Sequence, residues 1–354
     1  MTATVTDPPQ AASSRGSEYA ELGKQIRAAG LLGRRPWAYT ALVGSTGVLF
    51  LGACLLVALL GDTWWQLLAA IGLGIAFTQA AFMGHDGGHQ QIFATRRYND
   101  LFGQLSGNLL VGLSYGWWVG KHNRHHANPN TEHRDPDIGD GVLAFTTGQV
   151  GSRTGGLGRA VVRNQAWLFF PLLTLEGWNL HVASIRSLLP GGERSRRGGA
   201  RRTEIILLSA HAVVYIGGLL LVMSPVKALI FILVHQAAFG LYMGCSFAPN
   251  HKGMPIIGQD EDVDFLRRQV LTSRNVRGGR FLDWLLGGLN YQTEHHLFPS
   301  MPRPSLCRAQ RLVREYCATH HITYTETSLL GSYRAALRHL HDLGAPLRPC
   351  DEVP

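Results

Sequence analysis

The sequence predicts an all-α integral membrane protein, with four transmembrane helices in two hairpins, additional interfacial helices and a cytosolic helical cap. Two observations indicate this class: long apolar runs alternate with polar segments, and the basic residues avoid those runs. A bilayer core of about 30 Å requires about 20 mostly apolar residues per spanning helix. Runs of that length occupy residues 38–60, 63–84, 203–223 and 226–248. Very short connections join the first run to the second and the third to the fourth, so each pair is expected to form a hairpin.

The charge distribution predicts an orientation. The chain has 33 Lys and Arg, 24 Asp and Glu, and a net charge of +9. Within the four apolar runs, Lys227 is the only Lys or Arg. Basic residues near spans concentrate on the cytoplasmic side, so both termini and the segment between the second and third spans are expected in the cytosol. The excess of basic residues is then explained by their contact with anionic lipids of the bilayer, and no nucleic-acid partner is expected. If the source is bacterial, this bilayer is the plasma membrane.

Three regions are expected along the chain. Residues 1–36 are interpreted as a disordered N-terminus, up to residue 16, and an interfacial amphipathic helix. Residues 37–320 are interpreted as the membrane domain, and residues 321–354 as a cytosolic C-terminal tail. Within the membrane domain, the apolar stretches 107–119 and 166–180 are short and interrupted by polar residues, which favours interfacial or re-entrant helices.

Two Gly- and Arg-rich segments lie between the second and third spans. Residues 146–158 read "TTGQVGSRTGGLG" and residues 190–202 read "PGGERSRRGGARR". Such a composition is typical of solvated linkers, and we interpret both segments in that way. After Pro304 the chain becomes polar with a helical pattern, which predicts the cytosolic cap.

Three histidine-rich motifs lie where the predicted spans meet the cytosol. In "HDGGH" the histidines are at positions i and i+4, whereas "HNRHH" and "QTEHH" both use positions i, i+3 and i+4. Residues at those offsets share one face of a helix, so their side chains can converge. The candidate metal ligands are therefore His85, His89, His122, His125, His126, His295 and His296.

The number of histidines indicates more than one metal ion. His251, in "FAPNHKG" where the fourth span ends, is an eighth candidate ligand. Neutral imidazole is a common ligand of iron, copper, zinc and nickel. Seven motif histidines exceed the ligands of one tetrahedral zinc, so two ions fit better. His181, His211 and His235 lie in apolar segments without this spacing, and a packing or hydrogen-bonding role is expected for them.

Several polar residues near the motifs could support the ligands. A ligating histidine usually donates its second ring N–H to a carboxylate or a carbonyl. The candidates for that role are Asp86, Asp135, Asp137 and Glu294. Gln292 stands in the third motif at the offset of the first histidine of the second, and its amide oxygen could ligate weakly or act through water.

The predicted site suits the activation of oxygen. Two metal ions with nitrogen ligands, next to apolar membrane-spanning segments, are appropriate for this chemistry. The five cysteines form no CxxC pair that would indicate thiolate ligands. No side-chain acid or base breaks an unactivated C–H bond, so the metal–oxygen unit would carry that chemistry. The position at the membrane predicts an apolar substrate that enters from the bilayer or along its surface.

The three motifs, in this order and around four spans, resemble those of the membrane fatty acid desaturase family. The resemblance covers roughly residues 35–320. "DPD" at 135–137, "PLLTLE" at 171–176 and "GGLNYQTEHHLFP" at 287–299 are similar to the acyl-CoA and acyl-lipid branch with Gln in the third motif. The seven motif histidines match the family's ligand positions, and His251 matches its additional histidine after the fourth span.

The resemblance implies a fatty acid desaturase, an O2-dependent oxidoreductase in which a non-haem di-iron centre is itself the catalytic group. It implies a cis double bond introduced into a long acyl chain carried by CoA or by a lipid. It also implies two electrons from an external donor of the ferredoxin or flavin reductase type, since the chain has no His-Pro-Gly-Gly motif of a fused haem domain. The resemblance leaves the role of Gln292 open.

Three alternatives remain at this point. A lipid hydroxylase, a carotenoid ketolase or an alkane-hydroxylase-like oxygenase would use the same ligands and differ in where the substrate carbon lies. A membrane zinc protease would require HExxH, whereas Asp86 follows the first histidine here, and the other two motifs would have no role. A transporter or metal-binding protein is disfavoured because the spans contain almost no charged residues.

Overall fold

The computed structural model describes residues 15–195 and 199–348. Residues 1–14, for which disorder was predicted, lie outside the described residues. The first half of the chain contains α1 (Arg15–Ala28), α2 (Pro36–Leu60), α3 (Gln66–Gly88), α4 (Arg96–Gln104), a π-helix (Leu105–Val111), α5 (Tyr115–Ala127), α6 (Thr147–Gly151), α7 (Gly156–Arg163), α8 (Gln165–Leu173) and α9 (Glu176–Ser187). The second half contains α10 (Arg201–Val222), α11 (Pro225–His251), α12 (Phe265–Leu271), β1 (Arg274–Arg277), α13 (Arg280–Leu285), α14 (Gln292–Leu297), α15 (Leu306–Thr319), β2 (Thr325–Ser328) and α16 (Leu329–Gly344).

The four predicted spans are confirmed as helices long and apolar enough to cross a membrane: α2, α3, α10 and α11. Two of them extend beyond their apolar run. Helix α3 continues to Gly88 and so includes the start of the first motif, and α11 continues to His251. The hydrophobic pattern ends where the bilayer is expected to end, but the backbone hydrogen bonding continues into the site.

The two hairpin turns lie side by side at one end of the bundle. Asp62, in the first turn, accepts a hydrogen bond from the backbone N–H of Ser224 in the second turn (2.9 Å). The Lys227 ammonium lies 3.3 Å from the same carboxylate. The histidine motifs lie at the opposite end, because α3 and α11 both run from these turns toward it.

The four spans differ in how much protein covers them. In the most apolar window of each helix, 67% of the residues are buried for α3 and 39% for α11, against 11% for α2 and 6% for α10. Helices α3 and α11 pack on each other more extensively than any other pair. Their interface contains buried Phe77 and Phe239. The inner pair thus forms the frame of the site, and the outer pair presents apolar surface.

Beyond the motif end of the bundle, α1, α12, α14 and α15 enclose a second core. Leu22 and Ile26 of α1 are fully buried there, together with Leu297 and Met301. Strands β1 and β2 pair in parallel, which brings the segment after residue 320 onto the same assembly. Helix α16 follows and packs on α8 and α11.

The linker interpretation of residues 146–158 was wrong, and that of residues 190–202 holds only in part. Residues Thr147–Gly151 form α6 with a complete capping box at Thr146, and Val150 is buried beside Leu343. In the second segment, Arg194 forms a 2.7 Å ion pair with buried Glu204. The composition predicted loops in both segments. Instead, the buried side chain of Val150 fixes the first segment to the fold, and the ion pair of Arg194 fixes the second.

Candidate metal centre

Four helices bring the histidine motifs together. The last turn of α3 carries His85, and His89 follows directly at its C-terminal end. Helix α5 carries the second motif, and Ser114, the residue before it, is the N-cap whose side chain accepts the N–H of Trp117. Helix α14 carries the third motif, and His251 is the last residue of α11. The eight predicted histidines form one continuous cluster of rings, with neighbouring centroids 4.2–5.0 Å apart.

The ring nitrogens form two groups, in each of which all candidate ligand atoms lie within 4.8 Å of one another. The first histidine group is His85, His89, His122 and His295, and the second histidine group is His125, His251 and His296. The closest pairs of Nε2 atoms are 2.9 Å apart in the first group and 3.1 Å in the second. Two nitrogens at about 2.1 Å from one ion, at a right angle, are about 3 Å apart. The spacing therefore fits two metal positions.

His126 connects the two groups. Its Nε2 lies 3.1 Å from Nε2 of His122 in the first group. Its ring stacks on that of His296 in the second group, with centroids 4.2 Å apart and planes 14° apart. His126 can therefore reach either metal position.

The chemistry of the imidazoles fits metal ligation. Burial lowers the pKa of His122, His126, His295 and His296 well below the usual value, and repulsion from neighbouring imidazoles lowers it further. These rings are therefore neutral and keep a free lone pair at neutral pH. Among the described side chains, Nε2 of His85, Nε2 of His295 and Nδ1 of His126 are buried without a hydrogen-bond partner. Buried polar atoms normally have a partner, so these atoms suit bonds to a metal.

Each histidine of the second group has its Nδ1 held by a protein oxygen. The contacts are His125 with Asp135 (3.0 Å), His251 with the Thr272 carbonyl (2.9 Å) and His296 with the Gln269 side chain (2.9 Å). An Nδ1–H donated in this way leaves Nε2 as the lone-pair donor, directed into the group. Burial would lower the pKa of His125, but the carboxylates of Asp137 and Asp135 outweigh it and raise that pKa.

In the first group, His85 has a longer contact to its supporting carboxylate. Nδ1 of His85 lies 3.3 Å from the Asp86 carboxylate. That carboxylate is engaged elsewhere, by the Arg303 guanidinium at 2.8 Å and by the Tyr39 hydroxyl at 3.1 Å. Arg303 also donates to the carbonyl of Phe82 (2.9 Å) and so ties the chain after the third motif to α3.

The remaining predicted carboxylates have different positions. The half-buried Asp137 lies 3.5 Å from Nδ1 of His125 and forms a 2.7 Å ion pair with Lys121. Glu294 is fully buried, but its carboxylate accepts hydrogen bonds from Asn275 (2.6 Å) and Tyr324 (2.8 Å). Burial raises the pKa of Glu294 to about 7. Glu294 therefore fixes α14 to β1 and its surroundings through Asn275 and Tyr324.

Gln292 lies at the second group. Its Nε2 is 2.8 Å from Nε2 of His251, and its Oε1 accepts a hydrogen bond from Nδ2 of Asn250 (3.1 Å). The side chain is 3% exposed, so bulk water does not reach it. A half-turn of the amide would exchange nitrogen and oxygen and direct Oε1 toward the position that the histidines surround.

Sequence reasoning missed Gln269, Arg303 and Trp118. Gln269 lies 27 residues from His296 and in no motif, so spacing gives no signal for it. Arg303 follows the third motif closely, and its charge opposite to Asp86 was the available indication. Trp118 lies on the same helix as the second motif and stacks on His122, with centroids 4.6 Å apart.

A cavity adjoins the first group. It lies between α3, the π-helix, the start of α5 and α11, and is lined by residues including His85, Val111, Trp118, Met243 and Phe247. Most of the lining is apolar or glycine. The hydroxyls of two polar lining residues are already engaged, since Tyr115 donates to Asp100 (3.0 Å) and Ser114 to Glu204. By contrast, His85 has its unpartnered Nε2, so the apolar cavity reaches the first histidine group at this residue.

Comparison with known proteins agrees with this site. Residues 62–328 match the family described as "Fatty acid desaturase". The chain belongs to this family. It is therefore a fatty acid desaturase, an oxidoreductase with histidine clusters that can bind metal, and the protease and transporter alternatives do not apply.

Individual desaturases from animals and plants are similar to this one. A Delta(5) fatty acid desaturase of Caenorhabditis elegans is 31% identical over 314 residues, which cover 86% of this chain and 69% of the relative. A Delta(8)-fatty-acid desaturase of Borago officinalis is 26% identical over 97% of this chain and 78% of the relative. A Delta(6)-fatty-acid desaturase of Caenorhabditis elegans is 29% identical over 79% of this chain and 65% of the relative. These relatives are named for different double-bond positions.

Proposed function

We propose that this desaturase introduces a cis double bond into a long acyl chain, with O2 as oxidant and two electrons from an external carrier. The observation that carries the proposal is the apolar cavity that ends at His85. An acyl chain offers only C–H groups to such a wall, and so it loses no hydrogen bonds there on leaving the membrane. The methylenes beside His85 would be the ones oxidised.

The proposed cofactor is a pair of iron ions. The first and second histidine groups would each hold one ion, with His126 available to either, so that His85, His89, His122, His125, His126, His251, His295 and His296 are the ligands. When bound, the iron pair would supply the oxidising power to remove two hydrogens from adjacent methylenes, with O2 reduced to two waters by those hydrogens, two electrons and two protons. Imidazole ligands suit iron.

The residues around the ions would position them and exclude water. Asp135 would hold His125 by its Nδ1–H, as the Thr272 carbonyl and Gln269 would hold His251 and His296. Trp118 would form the part of the cavity wall nearest to His122 and keep the reacting carbons close to the metal centre. Such fixed positioning is the protein's main contribution when a cofactor carries the chemistry.

The substrate form and the setting belong to the same proposal. The acyl chain would be presented as a CoA thioester or a lipid, and the electrons would come from a ferredoxin or a flavin reductase. Both termini and the metal centre would face the cytosol, because the spans avoid basic residues and the motif end of the bundle is rich in them. Residues 37–320 would form the catalytic membrane domain, with 1–36 and 321–354 as its flanking segments.

A fatty-acid profile tests this function. The chain and its His125→Ala variant would be expressed in a host that lacks polyunsaturated acids, and double bonds would be located by mass spectrometry. We expect a new cis double bond only with the intact chain. A new hydroxy or keto lipid would instead indicate another oxidation on the same scaffold. An unchanged profile in a host supplied with ferredoxin and its reductase would contradict the proposal.

A further inference from the structure

The wall of the cavity opposite α3 is an irregular helix. Residues Leu105–Val111 form a π-helix, and Gly107 and Val111 of this segment line the cavity. It ends at Gly112, in the left-handed conformation with φ of 80°. π-helical segments are rare and occur frequently at functional sites.

Two histidines outside the motifs hold the end of this π-helix. Nδ1 of His211 lies 2.9 Å from the carbonyl of Leu109, and Nε2 of His181 lies 3.3 Å from the carbonyl of Val111. A Cβ added at Gly112 would lie 2.6 Å from the His211 ring and 3.2 Å from Nε2 of His181. The two rings therefore pack directly behind the wall and accommodate no side chain there.

The position of His211 within the membrane-spanning part of the protein explains why a histidine is present there. His211 is in the middle of α10, a helix of 22 residues that is long and apolar enough to span a membrane. In a bilayer core no water can pair with a free carbonyl, so the carbonyls of irregular backbone must be hydrogen-bonded by the protein itself. An imidazole N–H from a neighbouring helix does so, whereas the apolar residues that fill the rest of α10 cannot.

The third histidine of this region has another role. His235 of α11 has its Nδ1 2.7 Å from the Tyr215 hydroxyl, and its ring packs edge-on against Phe77. These contacts of His235, and its ring contact with Phe231, are made to the spanning helices and not to the π-helix. His235 and Tyr215 therefore provide a comparison within the same part of the bundle.

We propose that His211, supported by His181, is a positioning residue that fixes the deep wall of the acyl cavity and thereby selects which methylene pair lies at His85. This inference rests on the proposed function, because it assumes that the acyl chain occupies the cavity. Without the bond to Leu109, the end of the π-helix would shift and Val111 would move with it. The chain would then enter to a different depth, and the double bond would form at a different carbon.

The test compares product positions among variants of the full-length protein in the same expression host. His211→Phe keeps a ring but removes the N–H, and His211→Gln keeps an N–H that can reach the carbonyl. Val111→Ala changes the wall directly, and Tyr215→Phe removes a neighbouring hydrogen bond that does not involve the π-helix. Iron content per chain would be measured for each variant, since none of these residues is a proposed ligand.

We expect His211→Phe and Val111→Ala to give a second positional isomer while iron content stays at the wild-type value. A displacement of about 1 Å at the reacting carbon can cost about 100-fold in rate, so the ratio of original to shifted isomer should fall at least about tenfold. His211→Gln and Tyr215→Phe should keep the original position.

The outcomes separate this inference from the function on which it rests. Iron-loaded His211→Phe with unchanged regiochemistry would overturn the inference, and so would an equal shift in Tyr215→Phe. If His211→Phe does not accumulate, His211→Gln and Val111→Ala decide: an unchanged product from Val111→Ala would overturn it. A wild-type chain that forms no double bond would overturn the proposed function and this inference with it.

Discussion

The two histidine groups lie side by side, but the protein supports them differently. In the second group, each Nδ1 contacts an oxygen at 2.9–3.0 Å, from Asp135, Thr272 and Gln269. In the first group, the corresponding contact of His85 is 3.3 Å, and Asp86 is shared with Arg303 and Tyr39. The first group is also the one that adjoins the apolar cavity.

This difference suggests that the two histidine groups have different tasks. A ligand whose ring is fixed by an outer hydrogen bond cannot turn away from the ion, so the second group is preorganised. The first group has to tolerate a substrate beside His85, and its ligand is oriented through a network that reaches Tyr39 and Arg303. Variants of the two groups should therefore differ in how far they affect metal content and turnover.

The largest effect is expected from removing a ligand of the second group. His125→Ala should abolish desaturation and lower the iron content, because it deletes an imidazole that the Asp135 carboxylate directs into the group. Activity would be measured by the fatty-acid profile and iron by elemental analysis of the purified protein.

His341→Ala is the matched control. His341 is exposed on α16, lies outside the histidine groups and contacts Arg348. It should match the wild type in both measurements. A fully active His125→Ala variant would refute the ligand assignment.

Substitution of the two supporting aspartates, Asp135 and Asp86, should have a smaller effect and directly compares the two histidine groups. Asp135→Asn should lower iron affinity or activity by about 10- to 100-fold, the usual cost of losing such a partner. Asp86→Asn should cost less iron affinity, because its contact to His85 is longer and Arg303 remains to hold the loop. Iron would be titrated into both purified variants under identical conditions.

Equal losses of iron affinity in the two variants would contradict the difference between the groups. A larger loss in Asp86→Asn would reverse it and would make the first group the one held more rigidly. A melting temperature measured for both variants separates a loss of ligand orientation from a loss of fold, since Asp86 also pairs with a buried guanidinium.

The parts predictable from sequence are those that follow a period. The four apolar runs predicted the spans, and the helical offsets of the motifs identified seven of the eight histidines that the structure brings together. The eighth, His251, was identified from its position at the end of the fourth span. The supporting contacts of Gln269 and Thr272 could not be predicted, because they depend on how α12 and its C-terminal end pack against α14 and the end of α11. Likewise, nothing in the apolar setting of His211 showed that a π-helix would end beside it.

Glu294 shows the limit of arguing from proximity along the chain. It immediately precedes two of the motif histidines and was predicted to support them, yet adjacent residues on a helix point about 100° apart. Its carboxylate accordingly reaches Asn275 and Tyr324 on the other side of α14. Asp135 is ten residues from His125, but a turn brings it back to the ring.

The smallest effect is expected from substitution of Gln292, which tests whether the second histidine group uses a ligand or partner besides its three histidines. Its amide lies 2.8 Å from Nε2 of His251, the atom that would bind metal in the second group. With metal bound, that lone pair is engaged, so an amide N–H can no longer donate to it and the oxygen should turn toward the site. Gln292→Ala should therefore lower turnover by about tenfold, as loss of a weak ligand or of a supporting partner does, with little change in melting temperature.

Gln292→Glu is the matched variant, since it keeps the length of the side chain and offers oxygen in either orientation. If the oxygen is what the second group uses, Gln292→Glu should retain more iron than Gln292→Ala. Wild-type turnover in Gln292→Ala would make the residue a spectator. Loss of iron in Gln292→Glu with retention in Gln292→Ala would contradict a role for the amide oxygen, because the variant without the side chain binds iron and only the added carboxylate disturbs the group. The second group would then be complete with its three histidines, and His126 would remain as the fourth ligand within reach.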